Sequence, residues 1–276
     1  KSARADYGDL YGRYIKTPDK IQEGYMMKKL FTLLCAAMLT VSLVGCGNST
    51  QTGSQTDAAD KTQSTASDLE YVTGNGKMII GYTDYEPMNF TGDDGKLTGF
   101  DTEFAEAVCE KLGVTPEFVE IDWDNKFLEL DSKSIDCIWN GMTITDEVKM
   151  NTNVTKPYVV NAQVVVMNKD KAANYKDAES MKELKFAAEA GSAGEEAIKE
   201  NGLDANYTAV SAQTDAMLEV ASGSVDACVI DITMANAMTG EGTSYANMTS
   251  VLDLTEEEYG IGFRKGSDLA EKVNGI

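Results

Sequence analysis

The 276 residues include no histidine. A Ser-His-Asp triad, a Cys-His dyad and a His-ligated zinc are therefore all excluded. Positive charge is scarce: 24 Lys and Arg stand against 45 Asp and Glu, for a formal net charge of −21. Phosphate recognition needs a basic face, so neither nucleic acid nor anionic lipid is expected as the main partner. A Walker-type phosphate loop is missing as well. Long apolar runs are also missing, since the one from Leu30 to Val44 falls short of the about 20 residues a bilayer span needs. What remains is ordinary globular material, 42% hydrophobic and 25% charged. The length suits one large or two modest domains, because a single core rarely grows past roughly 250 residues.

The chain begins at Lys1, and residues 1–25 are polar with scattered tyrosines. Met26-Met27-Lys28-Lys29, the apolar run and Gly45-Cys46 then have the layout of a secretory signal, placed at 26–45. A buried core helix is the alternative, and the polar tract that follows argues against it. Leu43-Val44-Gly45-Cys46 resembles the lipobox of bacterial lipoproteins, which implies lipidation at Cys46 and a lipid-anchored, extracytoplasmic location. On that reading residues 1–25 are an upstream, non-native extension; a genuine cytoplasmic extension is the other reading. Residues 46–70 are rich in Ser, Thr, Gln, Gly and Asp and are expected to form a flexible tether.

Of five cysteines, Cys35 falls in the signal and Cys46 at its end. Cys109, Cys137 and Cys228 lie in apolar helix or strand patterns and read as buried thiols. Their spacing suits neither a disulfide framework nor a metal motif, so no metal and no cofactor is expected. Asn-x-Ser/Thr triplets at Asn48, Asn89, Asn153, Asn206 and Asn247 are read as chance.

From Lys77 onward strand and helix patterns alternate, which predicts an α/β architecture. Met78–Gly81, Phe118–Ile121 and Ile135–Trp139 read as strands. Asp101 precedes a helical stretch with Phe104, Ala105, Val108 and Leu112 at helical spacing, stopped by Gly113. A second helix covers Asp124 to Ser132. An internal echo pairs Leu128–Cys137 with Leu218–Ala227, each a helix end, a tight turn and a buried strand. Each strand then enters a loop, Asn140–Thr143 or Asp231–Thr233. Two lobes on one plan are expected: 71–163, then 164–254, with 255–276 returning to the first. Gln163–Val166 and Gly260–Phe263 are read as the two crossings between them. A ligand would sit in the crevice at the strand C-termini.

Tyr85-Glu86-Pro87-Met88-Asn89-Phe90, Gly95–Asp101, Gly141-Met142-Thr143-Ile144-Thr145-Asp146-Glu147 and Lys156-Pro157-Tyr158 resemble the polar-amino-acid substrate-binding proteins of ABC importers, solute-binding family 3. The resemblance runs from about Lys77 to the last residue. It implies the two-lobed periplasmic-binding-protein type 2 fold, each lobe a mixed sheet flanked by helices, joined by a two-strand hinge and closing on its ligand. It also implies an ABC permease and its ATPase as partners, a small-molecule amino acid as ligand, a monomer, and no catalysis. The family continues with another helix on the first lobe, so a C-terminal truncation is expected.

The same resemblance assigns Tyr85 and Trp123 to holding the ligand side chain, with ordinary core aromatics as the alternative. Gly141 and Thr143 match positions whose backbone and hydroxyl bind the amino acid's charged groups. Ser192 matches the second lobe's carboxylate donor, although Ser192 and Glu195 also fit a capping box. Asp231 matches the acid that takes the ligand ammonium; a loop-capping Asp is the alternative. The family's carboxylate-binding Arg is replaced by Val148, and Lys149 lies about 100° further round the helix. Glu189 stands where some relatives carry Lys. The ligand is accordingly expected to be an amino acid held largely by backbone donors, or a more cationic relative. A cyclohexadienyl-dehydratase-like enzyme and a receptor's sensing domain are the rival readings.

Overall fold

A computed structural model of the chain describes residues 13–14 and 67–276. The proposed signal segment and Cys46 lie outside the described residues, as does the tether up to residue 66. Residues 67–70, read from composition as its end, are instead folded. Ser67 caps helix α1 (Asp68–Asn75) by accepting the Glu70 N–H at 3.0 Å.

Strand β1 (Lys77–Tyr82) follows, then the short hairpin strands β2 (Phe90–Thr91) and β3 (Leu97–Thr98). Next come α2 (Phe100–Leu112), β4 (Thr115–Glu120), α3 (Lys126–Asp131) and β5 (Cys137–Thr143). Helix α4 (Asp146–Asn151) leads to β6 (Thr152–Val154) and β7 (Val159–Asn161). The middle of the chain gives β8 (Gln163–Asn168), α5 (Lys169–Ala172), β9 (Phe186–Glu189), α6 (Ala193–Glu200) and β10 (Tyr207–Val210). Helix α7 (Gln213–Ser222), β11 (Ala227–Asp231), α8 (Ile232–Met238) and β12 (Met248–Asp253) precede β13 (Glu257–Arg264) and α9 (Leu269–Asn274).

Two mixed sheets organise these elements. One runs β4-β1-β5-β13-β6, with β7 also on β13; the other runs β10-β9-β11-β8-β12. In each, three parallel strands meet one antiparallel strand, β13 in the first and β8 in the second. The chain passes from first sheet to second at Ala162 and returns through residues 254–256. Gln163–Val166 and Gly260–Phe263 are therefore central strands, not crossings. Both are buried throughout because sheet neighbours flank them on each side.

The sequence echo is a structural one. Ser132 and Ser134 share a hydroxyl bond at 2.9 Å, as Ser222 and Ser224 do at 2.8 Å. Asp136 accepts the Ile79 N–H, and Asp226 accepts the Lys185 N–H. The tight turn needs a left-handed residue, which is Gly223 (φ 80°) in one copy and Lys133 (φ 64°) in the other. Lys133 makes use of its side chain there: it lies 3.9 Å from Asp68 and above the Tyr71 ring.

One core joins Met78, Ile80, Val108, Trp139 and Phe263 beneath α1, α2 and α9; a second packs Leu130, Ile135, Ile138 and Val148 on the other sheet face. The second lobe has its own, around Val165, Phe186, Ile198 and Val229. Cys109, Cys137 and Cys228 are free and buried, and burial pushes the Cys109 and Cys228 thiols up to about 12. Arg264 is buried between Asp68 (3.0 Å) and Asp136 (2.9 Å). Asp268 accepts from Ser67 Oγ (2.5 Å) and the Leu69 N–H (2.9 Å), fixing α1 to the first lobe.

Candidate functional site

The C-terminal ends of β5, β9 and β11 converge on a cavity of about 240 Å³ between the lobes. Trp123, Lys126, Gly141, Thr143 and Val148 line it from the first lobe. Glu189, Ser192, Gln213 and Asp231 line it from the second, as does Gln163 at the start of β8. The local fold explains the convergence: parallel strands end on one edge, and the loops after them carry polar groups. The repeat offset of 90 residues relates Trp123 to Gln213 and Gly141 to Asp231, so the two halves of the site are copies of one plan.

Asp231 closes β11 and is 5% exposed. Its Oδ1 accepts from Asn161 Nδ2 (2.5 Å), Gln163 Nε2 (2.9 Å) and the Tyr259 hydroxyl (2.7 Å), and its Oδ2 from Gln213 Nε2 (2.6 Å). Burial, with Glu257 close by, raises its pKa to about 7. Glu257 shares two of these donors, since Oε1 accepts from Asn161 (2.6 Å) and Gln163 (2.8 Å). Asn161, Gln163, Tyr259 and Glu257 were not legible as site residues. Gln213 was within reach, as the repeat partner of Trp123.

The other candidate residues divide. Trp123 is 6% exposed and lines the cavity. Tyr85 does not line it: its ring is buried and its hydroxyl bonds Thr233 of the second lobe and Tyr259 (2.5 Å). Gly141 lies on the wall, but its N–H donates to Asp101 Oδ2 at 2.6 Å. Asp101, fully buried, has its pKa raised by burial to about 7. The Thr143 hydroxyl donates to Glu257 Oε1 at 2.7 Å. Asn140–Thr143, read as a loop, continues β5, because β13 arrives from far along the chain to pair with it.

Ser192 caps α6 by accepting the Glu195 N–H at 3.2 Å. The Glu195 carboxylate turns back to the Gly191 N–H at 2.8 Å, one residue earlier than a standard capping box. Val148 lines the cavity, whereas Lys149 points out and pairs with Asp146. Glu189 is 2% exposed; its Oε1 has no hydrogen-bond partner, and burial raises its pKa to about 8. Lys126 was missed. It sits three residues after Trp123, the one-turn spacing that puts both on one helix face. Its Nζ donates to Gly191 O at 2.8 Å across the cleft, and burial lowers its pKa.

Two lobes, each a mixed sheet, closed over a polar cavity at their strand ends define a periplasmic-binding-protein type 2 fold. The model of the bacterial extracellular solute-binding proteins, family 3, matches residues 78–276, and the chain belongs to that family. It is 30% identical over 208 residues to the L-cystine-binding protein TcyJ of Escherichia coli K12, covering 75% of this chain and 78% of that protein. It is 29% identical over 256 residues to the arginine-binding extracellular protein ArtP of Bacillus subtilis 168, covering 90% and 91%. Among solved structures, the ancestral amino acid-binding protein AncCDT-1, a precursor of cyclohexadienyl dehydratase, is 32% identical with a TM-score of 0.69. That match covers 76% of this chain and 91% of the other. The family is extracytoplasmic, and among the described residues no helix is long and apolar enough to cross a membrane.

Proposed function

We propose that this protein captures one amino acid, or an amino-acid-like cationic solute, between its lobes and delivers it to an ABC permease driven by its ATPase. The observation that carries the reading is the pair of buried carboxylates, Asp231 and Glu189, lining one cavity with Trp123. A buried acid is stabilised by a cation, and a bound ammonium supplies one. The cystine- and arginine-binding relatives support an amino acid as the solute. Trp123 is assigned to the ligand side chain, and Ser192 with the first turn of α6 to the carboxylate. Gly141 and Thr143 act as wall rather than free donors, and Tyr85 supports the closed state through its hydroxyl contacts.

The chain works as a monomeric, non-enzymatic carrier in this reading, lipid-anchored through Cys46. Replacing Cys46 with Ala is expected to move the protein from the membrane fraction to the soluble one. A thermal-shift screen over amino acids and polyamines tests the main reading, because a binder raises the melting temperature with its concentration. Asp231→Asn is expected to remove most of that shift. Turnover of prephenate-like acids by the purified protein would favour the dehydratase reading instead.

A further inference from the structure

Lys126 and Arg264 are the two buried cations among the described residues. Arg264 is neutralised by Asp68 and Asp136. Lys126 has no carboxylate within 4.0 Å among the described residues. Its side chain is held by the Gly191 carbonyl (2.8 Å), the Trp123 carbonyl (3.3 Å) and the faces of Trp123 and Phe127, with ring centroids at 5.2 and 4.8 Å. An ammonium has three donors, and two are accounted for.

Glu147, Glu189, Asp124 and Glu195 act on the Lys126 charge from further off, but a buried ammonium with no carboxylate in direct contact is still costly, so such a residue is kept where a closer anion arrives. Lys126 lines the cavity, and its bond to Gly191 O sets it beside Ser192 and the start of the eight-residue helix α6. Ser192 Oγ already accepts the Glu195 N–H, which leaves its hydroxyl hydrogen to donate. Positive charge, a hydroxyl donor and a helix N-terminus thus meet at one place, each suited to an anionic oxygen. Val148, also on the first lobe's side of the cavity, offers only methyl groups.

We infer that Lys126 is the residue that binds the solute's carboxylate, doing from helix α3 what a cation at position 148 would do from α4. This rests on the reading that the solute is an amino acid. It also fixes the solute's direction: carboxylate toward Lys126 and Ser192, ammonium toward Asp231. Lys126 is then a specificity residue, separating amino acids from the amines that lack a carboxylate. A lysine serving only to latch the lobes through Gly191 would weaken both kinds of ligand alike.

The test is calorimetry on the wild type and on Lys126→Met, with arginine and agmatine, histidine and histamine, and cystine and cystamine as paired probes. The wild type is expected to bind one amino acid at least roughly 30-fold tighter than its amine, by the cost of an unpaired buried charge. Lys126→Met is expected to erase that preference while leaving amine affinity within a few-fold, and Lys126→Arg to keep most of it. An unchanged preference in Lys126→Met, or an equal loss for both members of the pair, overturns the inference alone. Wild-type protein that binds none of the amino acids overturns the proposed function and the inference with it. A circular dichroism melt of each variant separates lost binding from lost fold.

Discussion

Tyr259 of the first lobe donates its hydroxyl hydrogen to Asp231 Oδ1 of the second at 2.7 Å, so one short bond ties the floor of the cavity across both sheets. The same hydroxyl lies 2.5 Å from that of Tyr85 and 3.0 Å from that of Thr233. Tyr259→Phe leaves the packing in place but strips this buried network of its centre. A loss of about 1–2 kcal/mol is expected from unsatisfied partners, lowering the melting temperature by roughly 3–6 °C. Solute affinity is expected to fall too, because the removed bond joins the two lobes and orients Asp231 at the cavity. An unchanged melt and unchanged affinity would place the closure energy elsewhere.

Gly191 tests closure without touching a polar group. Its φ is 67°, and an added Cβ would lie 2.8 Å from Asp124 Oδ1 and 2.9 Å from Asp124 Cα, on the opposite lobe. Gly191→Ala is expected to hold the lobes apart and weaken binding at least roughly tenfold, at a folding cost of about 1 kcal/mol from the left-handed backbone. Scattering with saturating solute should show a larger radius than for the wild type. A variant that compacts normally would contradict the close approach.

Three buried carboxyl groups give the solute-free protein a pH signature. Asp101 and Asp231 have pKa values raised to about 7 and Glu189 to about 8, chiefly by burial. Unfolded carboxyls titrate near 4, so between there and pH 8 the native state holds more protons than the unfolded chain. Their contribution to stability is full below pH 4 and is lost as pH rises through 7 and 8. Melting temperature should decline from pH 5.5 to 8.5, and Glu189→Gln should flatten the upper part of that decline. A rise over the same interval would refute the assignment.

Removing Arg264 strands two acids. Asp136 and Asp68 are mostly buried beside it, and the guanidinium also donates to Ile135 O at 2.7 Å. Arg264→Met is expected to cost about 3–5 kcal/mol. Denaturant melts should show the midpoint shift. Asp68→Asn should cost less, because Asp136 still balances the charge.

The alternation of strand and helix was legible because burial on one face imposes a period that any window of the chain displays. Leu128–Cys137 and Leu218–Ala227 went further: their offset relates Trp123 to Gln213 and Gly141 to Asp231 across the cavity. What stayed hidden depended on distant strands. Asn140–Thr143 looks like a loop until β13 pairs with it, and Gly260–Phe263 looks like a link until it lies at the centre of a sheet. Tyr85 looks loop-placed beside Glu86 and Pro87, yet its ring is buried and its hydroxyl meets Thr233 and Tyr259. Lys126 was passed over because a lone lysine in a polar stretch is nearly always solvated; its burial comes from the Gly191 loop of the other lobe.

The fastening of α1 has a mechanical consequence. Ser67 and Leu69 are pinned to Asp268, and Asp68 to Arg264 and Lys133, all on the lobe that holds β13 and α9. A pull applied at Ser67 would therefore load the first lobe directly and reach the second only through the two thin connections at Ala162 and residues 254–256.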